Sequence, residues 1–397
     1  MAGQFVIAGA GMAGAKAAEA LREKGFDGRI VLIGEESHRP YERPPLSKDY
    51  LMGKAERDSA YVHAESWYAE HDVDLRPDTS VTGIDRAAHQ VELADGSRLD
   101  YDKLLLTLGA SPRALRVPGA DNALYLRRVE DSDRIRDSFA PGSRLVVIGA
   151  GWIGLEVTSA ARQAGVEVTV LEAAELPLLR VLGPELAQVF ADLHTDHGVD
   201  LRFGVAVEEI TDAGVRLADG TVVPADTVLV AVGAAPNVEL AQQAGLDVDN
   251  GIIVDASLRT SDPDVFAAGD VANAFHPLLG KHIRVEHWAN AMHQPATAAA
   301  AMLGGDARYE DLPYFFTDQY DLGMEYIGHV EPDGYDEVVF RGDRAGREFI
   351  AFWLAGGKVV AGMNVNVWDV NDSIKALILS GATVDPAKLA DPAQPFA

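Results

Sequence analysis

A duplicated glycine turn limits what this chain can fold into. Residues 4–21, QFVIAGAGMAGAKAAEAL, run from an apolar stretch, Phe5 to Ala8, through Gly9, Gly11 and Gly14 into an alanine-rich helical pattern. Residues 144–160, RLVVIGAGWIGLEVTSA, repeat the arrangement, with Gly149, Gly151 and Gly154 at the same spacing. Each stretch reads as strand, tight turn and helix. The first glycine permits the turn, the second lets a pyrophosphate approach the backbone, and the third lets helix and strand pack closely. A diphosphate would sit on the helix N-terminus, where free N–H groups and the dipole favour an anion. Two such sites in one chain imply two dinucleotides.

A second repeat extends the duplication. Residues 91–112, VELADGSRLDYDKLLLTLGASP, align without a gap on residues 215–236, VRLADGTVVPADTVLVAVGAAP. Asp95-Gly96 and Asp219-Gly220 are hairpin turns between alternating strands. Each hairpin leads into an apolar strand, Leu104 to Leu108 and Val228 to Val232, that ends in Gly-Ala at Gly109 and Gly233. The repeated unit is therefore a fingerprint, a β-α-β run, a meander and a closing strand. Repeats of this size imply duplicated domains, so the predicted fold class is α/β with two Rossmann-like domains. From about residue 245 the pattern changes. Residues 311–397 carry strand-like segments and Gly/Asp turns, which predict a separate C-terminal α+β domain.

An acid closes the second strand of each repeat, Glu35 in the first and Glu172 in the second, where the fingerprint expects a carboxylate on the adenosine ribose. Glu172 would accept from both ribose hydroxyls and repel a 2′-phosphate. Ala173, Ala174 and Glu175 supply no arginine to bind such a phosphate, although Arg180 lies close in sequence. For a nicotinamide dinucleotide in this site, that arrangement predicts preference for NADH of tenfold or more, on the order of 1.4 kcal/mol. In RPPLSK at 43–48, Pro44-Pro45 opens a helix start that would hold Arg43 and Lys48 near one another.

Composition narrows the chemistry. No cysteine is present among 397 residues, which excludes disulfides, thiolate metal sites and thiol redox catalysis. The histidines do not repeat at metal-ligand spacing, and no metal is expected. A net charge of −27 argues against nucleic acid and anionic membrane surfaces as partners. No apolar run is long enough to span a bilayer, and the apolar start lacks the basic segment of a signal peptide, so a cytoplasmic location is expected.

Taken together, GAGMAG, RPPLSK, YLR at 125–127, GAGWIGLE at 149–156, AAGD at 267–270, EHWANA at 286–291 and FFTDQYD at 315–321 resemble one group over essentially the whole chain. It is the two-dinucleotide-binding flavoproteins shaped like glutathione reductase, in particular the oxygenase-coupled ferredoxin reductases of the putidaredoxin reductase and rhodocoxin reductase type. The resemblance implies FAD in the first cradle and NADH in the second. It divides the chain into an FAD domain at 1–115, an NAD domain at 116–243, a returning FAD segment at 244–310 and the C-terminal domain at 311–397. For FAD it implies contacts from Met12, Ala13, Lys48, Val81 and Arg127, with Asp270 on the ribityl chain after Gly269. Glu35, Arg43, Thr107 and Gly109 join that set, as do Glu286, His287 and Trp288. For NAD it implies Trp152 as an aromatic gate beside Ile153, with Gly233 near the cofactor.

Lys48 and Glu156 are expected to form an ion pair beside the flavin and to be the catalytic residues. The implied reaction passes hydride from NADH to flavin N5 and then single electrons to a 2Fe-2S ferredoxin. That carrier would feed a cytochrome P450 or a ring-hydroxylating dioxygenase. Arg341, Arg344 and Arg347 are expected to help dock it, and the protein to be a monomer or weak homodimer. Missing cysteines remove the disulfide reductases and peroxidatic NADH oxidases of similar architecture. A rubredoxin reductase, another NADH-acceptor flavin oxidoreductase, or a redox-sensing flavoprotein like apoptosis-inducing factor stays open.

Overall fold

The structure is a computed structural model that describes residues 3–396. The chain divides into two compact units. One comprises the residues up to Arg43, Arg57–Ser111 and Ala234–Asp311; the other comprises Pro44–Glu56, Pro112–Gly233 and the residues from Leu312.

In the first unit, five parallel strands lie in the order Val265–Ala267, Lys103–Leu106, Gln4–Ala8, Arg29–Ile33, Val73–Arg76. The central strands are near-continuous apolar runs because a parallel sheet is covered on both faces. Val6, Ile7, Ile30, Val31, Leu32 and Leu104 are fully buried. The helix Met12–Glu23 packs on this sheet and against the helix Trp288–Met302, whose alanines allow the close approach. The meander Val81–Asp85, Gln90–Leu93, Arg98–Asp100 is antiparallel, as the Asp95-Gly96 turn requires.

The second unit repeats the design with four parallel strands, in the order Asp200–Arg202, Glu167–Leu171, Arg144–Ile148, Thr227–Val230. Its meander Val207–Thr211, Gly214–Leu217, Val222–Pro224 follows the Asp219-Gly220 turn. Strand boundaries in the two repeats keep a constant sequence offset from Gln90 and Gly214 through to Leu106 and Val230, so the gap-free alignment carries over to three dimensions. The unit also holds an antiparallel sheet in the order Tyr314–Gln319, Leu322–Gly328, Lys358–Val365, Glu348–Ala355, Glu337–Asp343. Trp353, Phe349, Met363 and Phe190 are buried in one core with the helix Trp152–Gln163.

The segment Pro44–Glu56 belongs to this second unit, although it lies in sequence inside the first repeat. Leu51 is fully buried in the core of the second unit. The hydroxyl of Ser132 donates to the Leu46 carbonyl at 2.8 Å, and that of Tyr50 donates to Asp133 at 2.6 Å. No helix among the described residues is long and apolar enough to cross a membrane.

Candidate functional site

Both glycine turns are shaped by backbone crowding on one side and open space on the other. At Gly9 (φ +115°) an added Cβ would stand 2.2 Å from the Thr107 carbonyl oxygen; at Gly14 it would stand 2.1 Å from the Gly9 carbonyl oxygen. At Gly11 a Cβ would meet nothing within 4 Å. The second turn matches, with 2.4 Å to the Ala231 carbonyl oxygen at Gly149, 2.2 Å to the Gly149 carbonyl oxygen at Gly154, and open space at Gly151. The helices Met12–Glu23 and Trp152–Gln163 begin at Gly11 and Gly151 with no side chain capping them. Uncapped N–H groups facing an open glycine are what a diphosphate needs.

At the first turn the structure brings Thr107, Ala13 and Gly269 of the predicted set together. The Thr107 hydroxyl donates to the Gly9 carbonyl at 2.7 Å, so this side chain braces the turn. Gly269 (φ +77°) sits against Ala13 and precedes Asp270; its N–H donates to the buried Gln294 at 2.8 Å. Arg43 donates to Glu36 at 2.8 Å and carries the charge influence of Asp270. His287 precedes the helix Trp288–Met302, and burial lowers its imidazole to about 4 against the opposing charge of Asp270. Trp288 donates its indole N–H to Glu42 at 3.0 Å. Glu35 is exposed just past its strand, Val81 is half-buried, Gly109 has φ +68°, and Glu286 pairs with Arg284. Lys48 and Arg127 belong to the second unit, where the Arg127 backbone N–H donates to Asp131 at 3.0 Å.

In the second unit Glu172 is fixed by the backbone. One carboxylate oxygen accepts from the Ala150 N–H at 2.7 Å, inside the glycine turn, and the other from the Ala174 N–H at 2.9 Å. The acid at the strand end is thus pre-oriented at the mouth of the turn. Trp152 is half-buried, its ring 5.4 Å from Phe190 and 5.1 Å from Phe315, while Ile153 is exposed. Gly233 (φ +101°) accepts at its carbonyl from the Arg113 N–H, and Arg180 is exposed.

Lys48 and Glu156 meet. The ammonium donates to Glu156 Oε1 at 2.7 Å, and the carboxylate is only 5% exposed. Its remaining partners lie inside RPPLSK and FFTDQYD, although neither motif by itself assigned them this role. The Ser47 hydroxyl donates to Oε2, and the Thr317 hydroxyl donates to Oε1 at 2.6 Å. Phe315, Thr317 and Gln319 alternate as the buried face of the strand Tyr314–Gln319. Two polar residues at inward positions of such a strand are the available sequence signal. A cavity of ≈ 170 Å³ opens beside the pair, with Lys48, Glu156 and Asp318 among its walls. Burial raises the Asp318 carboxyl; Lys48 opposes the rise, and Glu156 and Asp49 add to it.

The C-terminal arginines have other work. Arg341 donates to the carbonyls of Leu389, Asp391, Pro392 and Gln394. Arg344 donates to the Glu185 carbonyl at 2.6 Å, and Arg347 pairs with Asp196. Reversing Arg341 would unfasten residues 389–394, so it cannot report cleanly on docking.

A family described as pyridine nucleotide-disulphide oxidoreductase matches residues 3–295. The chain belongs to this family. A second family, described as reductase C-terminal, matches residues 314–397. The ferredoxin–NAD(+) reductase component of the anthranilate 1,2-dioxygenase system of Burkholderia cepacia is 44% identical, covering 98% of this chain and 97% of that protein. Putidaredoxin reductase of Pseudomonas putida is 40% identical, covering 98% and 95%. The crystal structure of a covalent putidaredoxin reductase–putidaredoxin complex has a TM-score of 0.95 at 40% identity, covering 99% of this chain and 97% of that chain. The resemblance of the motifs therefore holds across the whole chain. With no cysteine in the sequence, the disulfide chemistry in the family's name has no reacting group here. The two cradles fit dinucleotides, as the open faces of Gly11 and Gly151 and the anchored Glu172 show.

Two outcomes follow from this geometry. Gly14→Ala should cost about 1–3 kcal/mol of stability through backbone crowding. Gly11→Ala should unfold within about 1 kcal/mol of the parent yet lose flavin on gel filtration; urea titration with absorbance at the flavin band separates the two. His194 is fully buried, and burial lowers its imidazole to about 4. Above pH 6.5 it is neutral in both folded and unfolded chains. As pH falls toward 4 only the unfolded chain takes up the proton, so stability is lost, by about 2 kcal/mol at pH 5. Urea unfolding at pH 7.5 and 5.0 should show a smaller drop in His194→Gln.

Proposed function

We propose that this protein is an FAD-dependent NADH:ferredoxin oxidoreductase that supplies a 2Fe-2S ferredoxin serving a cytochrome P450 or a ring-hydroxylating dioxygenase. The supporting observation is the pair of glycine cradles, each with its open glycine and uncapped helix, in a chain without cysteine. FAD, when bound, supplies the conversion between a two-electron hydride donor and one-electron acceptors.

The chain's own residues bind, orient and shield. Gly9, Gly11 and Gly14 hold one diphosphate, with Asp270 and Arg43 as polar partners for the same cofactor; Gly149, Gly151 and Gly154 hold the other. Glu172, anchored through Ala150 and Ala174, takes the adenosine ribose hydroxyls and disfavours a 2′-phosphate. Lys48 is the cation offered to the electron-rich cofactor, and Glu156 holds its Nζ in place. Trp152 lies half-open on Phe190 and Phe315, as a movable cover over the nicotinamide would. We assign residues 1–115 and 244–310 to the FAD domain and 116–243 to the NAD domain, apart from Pro44–Glu56 and Pro112–Leu115, which fold with the second unit, and Ala234–Gln243, which fold with the first; the protein is assigned to the cytoplasm.

Stopped-flow reduction by NADH, followed by reoxidation with candidate 2Fe-2S ferredoxins, tests this reading. NADH should exceed NADPH in kcat/KM by tenfold or more, about 1.4 kcal/mol. Lys48→Met should slow flavin reduction by one to two orders of magnitude, about 1.4–2.8 kcal/mol, with flavin retained. Rapid reduction by NADH followed by slow reoxidation with every carrier would favour a redox-sensing flavoprotein instead.

A further inference from the structure

We infer that ionised Glu156 sets the direction of a hydrogen-bond chain running from Tyr320 through His194, Gln319 and Thr317 to the carboxylate, which makes Thr317, Gln319 and His194 positioning residues for the Lys48–Glu156 pair. The catalytic purpose of the chain rests on the proposed role of that pair in reduction by NADH.

The direction follows link by link from the acceptor end. A carboxylate can only accept, so the Thr317 hydroxyl, 2.6 Å from Oε1, donates its one proton there. The Thr317 oxygen is then an acceptor for Gln319, whose Nε2 donates at 3.1 Å. That turns the Gln319 carbonyl toward His194 Nε2, at 2.8 Å, so His194 carries its proton on Nε2. A neutral imidazole with Nε2–H has a lone pair on Nδ1, which accepts from the Tyr320 hydroxyl at 3.2 Å. Every donor points toward Glu156. Reversing any single link would set two donors or two acceptors face to face.

Burial makes the order strict. Thr317 and His194 are fully buried and Gln319 is 1% exposed, so water cannot replace a broken link. His194, held neutral by the same burial, keeps one nitrogen for each role. At the far end the Tyr320 ring stacks on His197 at 3.7 Å, and the Tyr320 N–H donates to Ser159 at 2.8 Å. The titratable groups around the chain are Lys48, Glu156, His194 and Tyr320 themselves. Asp318 and Asp49 lie beside the pair, with Glu325 bearing on Asp318, and His197, Asp321 and Arg162 lie around the Tyr320 end. Among the described residues, Ser47 and Lys48 are the other side chains that hold Glu156. The chain thus supplies the third donor that holds this carboxylate in one rotamer.

Gln319→Glu provides the test, since it keeps size and shape but removes the donor when ionised. Thr317 then faces two carboxylates with one proton. At pH 8 the variant should show NADH reduction of its flavin slowed tenfold or more, with the KM for NADH within twofold of the parent. Its rate should recover as the pH falls toward 6, where the protonated glutamic acid donates again. Thr317→Ser should behave as the parent and Thr317→Val should be slow at every pH. Independently of turnover, ¹⁵N histidine NMR of the holoenzyme should show His194 as the neutral Nε2–H tautomer from pH 5.5 to 8.5, assigned by its loss in His194→Gln. A Gln319→Glu profile like the parent's, a Thr317→Val rate like that of Thr317→Ser, an Nδ1–H tautomer, or titration of His194 above pH 6 would overturn the chain. An unchanged rate in Lys48→Met alongside the expected tautomer would instead overturn the role of the pair.

Discussion

A buried carboxylate organises the second unit. Glu156 sits in the first turns of a helix that the glycine fingerprint holds against its sheet, so its backbone has little freedom to move. A buried charge left without partners costs several kcal/mol. The chain satisfies it with two segments remote in sequence from its helix: the Pro-Pro stretch brings Ser47 and Lys48, and the edge strand of the antiparallel sheet brings Thr317. This requirement, together with the burial of Leu51, accounts for why Pro44–Glu56 folds with the second unit. Removing a single partner would therefore disturb more than one local contact.

The two glycine cradles are near copies that have diverged at one telling position. Thr107 braces the first turn by donating to the Gly9 carbonyl, whereas the corresponding residue of the second repeat is Ala231, which offers only its backbone. The first turn is tied from its own closing strand. The second is tied instead through Glu172, which reaches back to Ala150. One scaffold has two different locks, and the second leaves a carboxyl side chain at the mouth of the cradle.

The parts of the fold that depend on local spacing were legible in the sequence. Glycine spacing, Asp-Gly turns and apolar runs predicted both parallel sheets and both meanders, because each is decided within a few tens of residues. The Lys48–Glu156 pairing was legible through a family resemblance, not through spacing, since the two are more than a hundred residues apart. Thr317 and Gln319 lie inside the quoted FFTDQYD, yet their role was missed along with His194, because no local pattern links a helix at Pro184–Asp196 to an edge strand at Tyr314–Gln319. Arg341 was misjudged for a related reason. A cation in a sequence looks available for a partner until the carbonyls that surround it in the fold are known.

The anchoring of Glu172 bears on redesign of coenzyme choice. The Ala150 N–H that holds the carboxylate belongs to the glycine turn proposed above as the seat of the diphosphate. Shortening the acid to serine would remove a negative charge and release a backbone donor at the place where an extra phosphate on the ribose would arrive. Repulsion and recognition are therefore not independent variables in this cradle. An engineer altering one side chain here would change the electrostatics and the hydrogen-bonding capacity of the peptide frame in a single step.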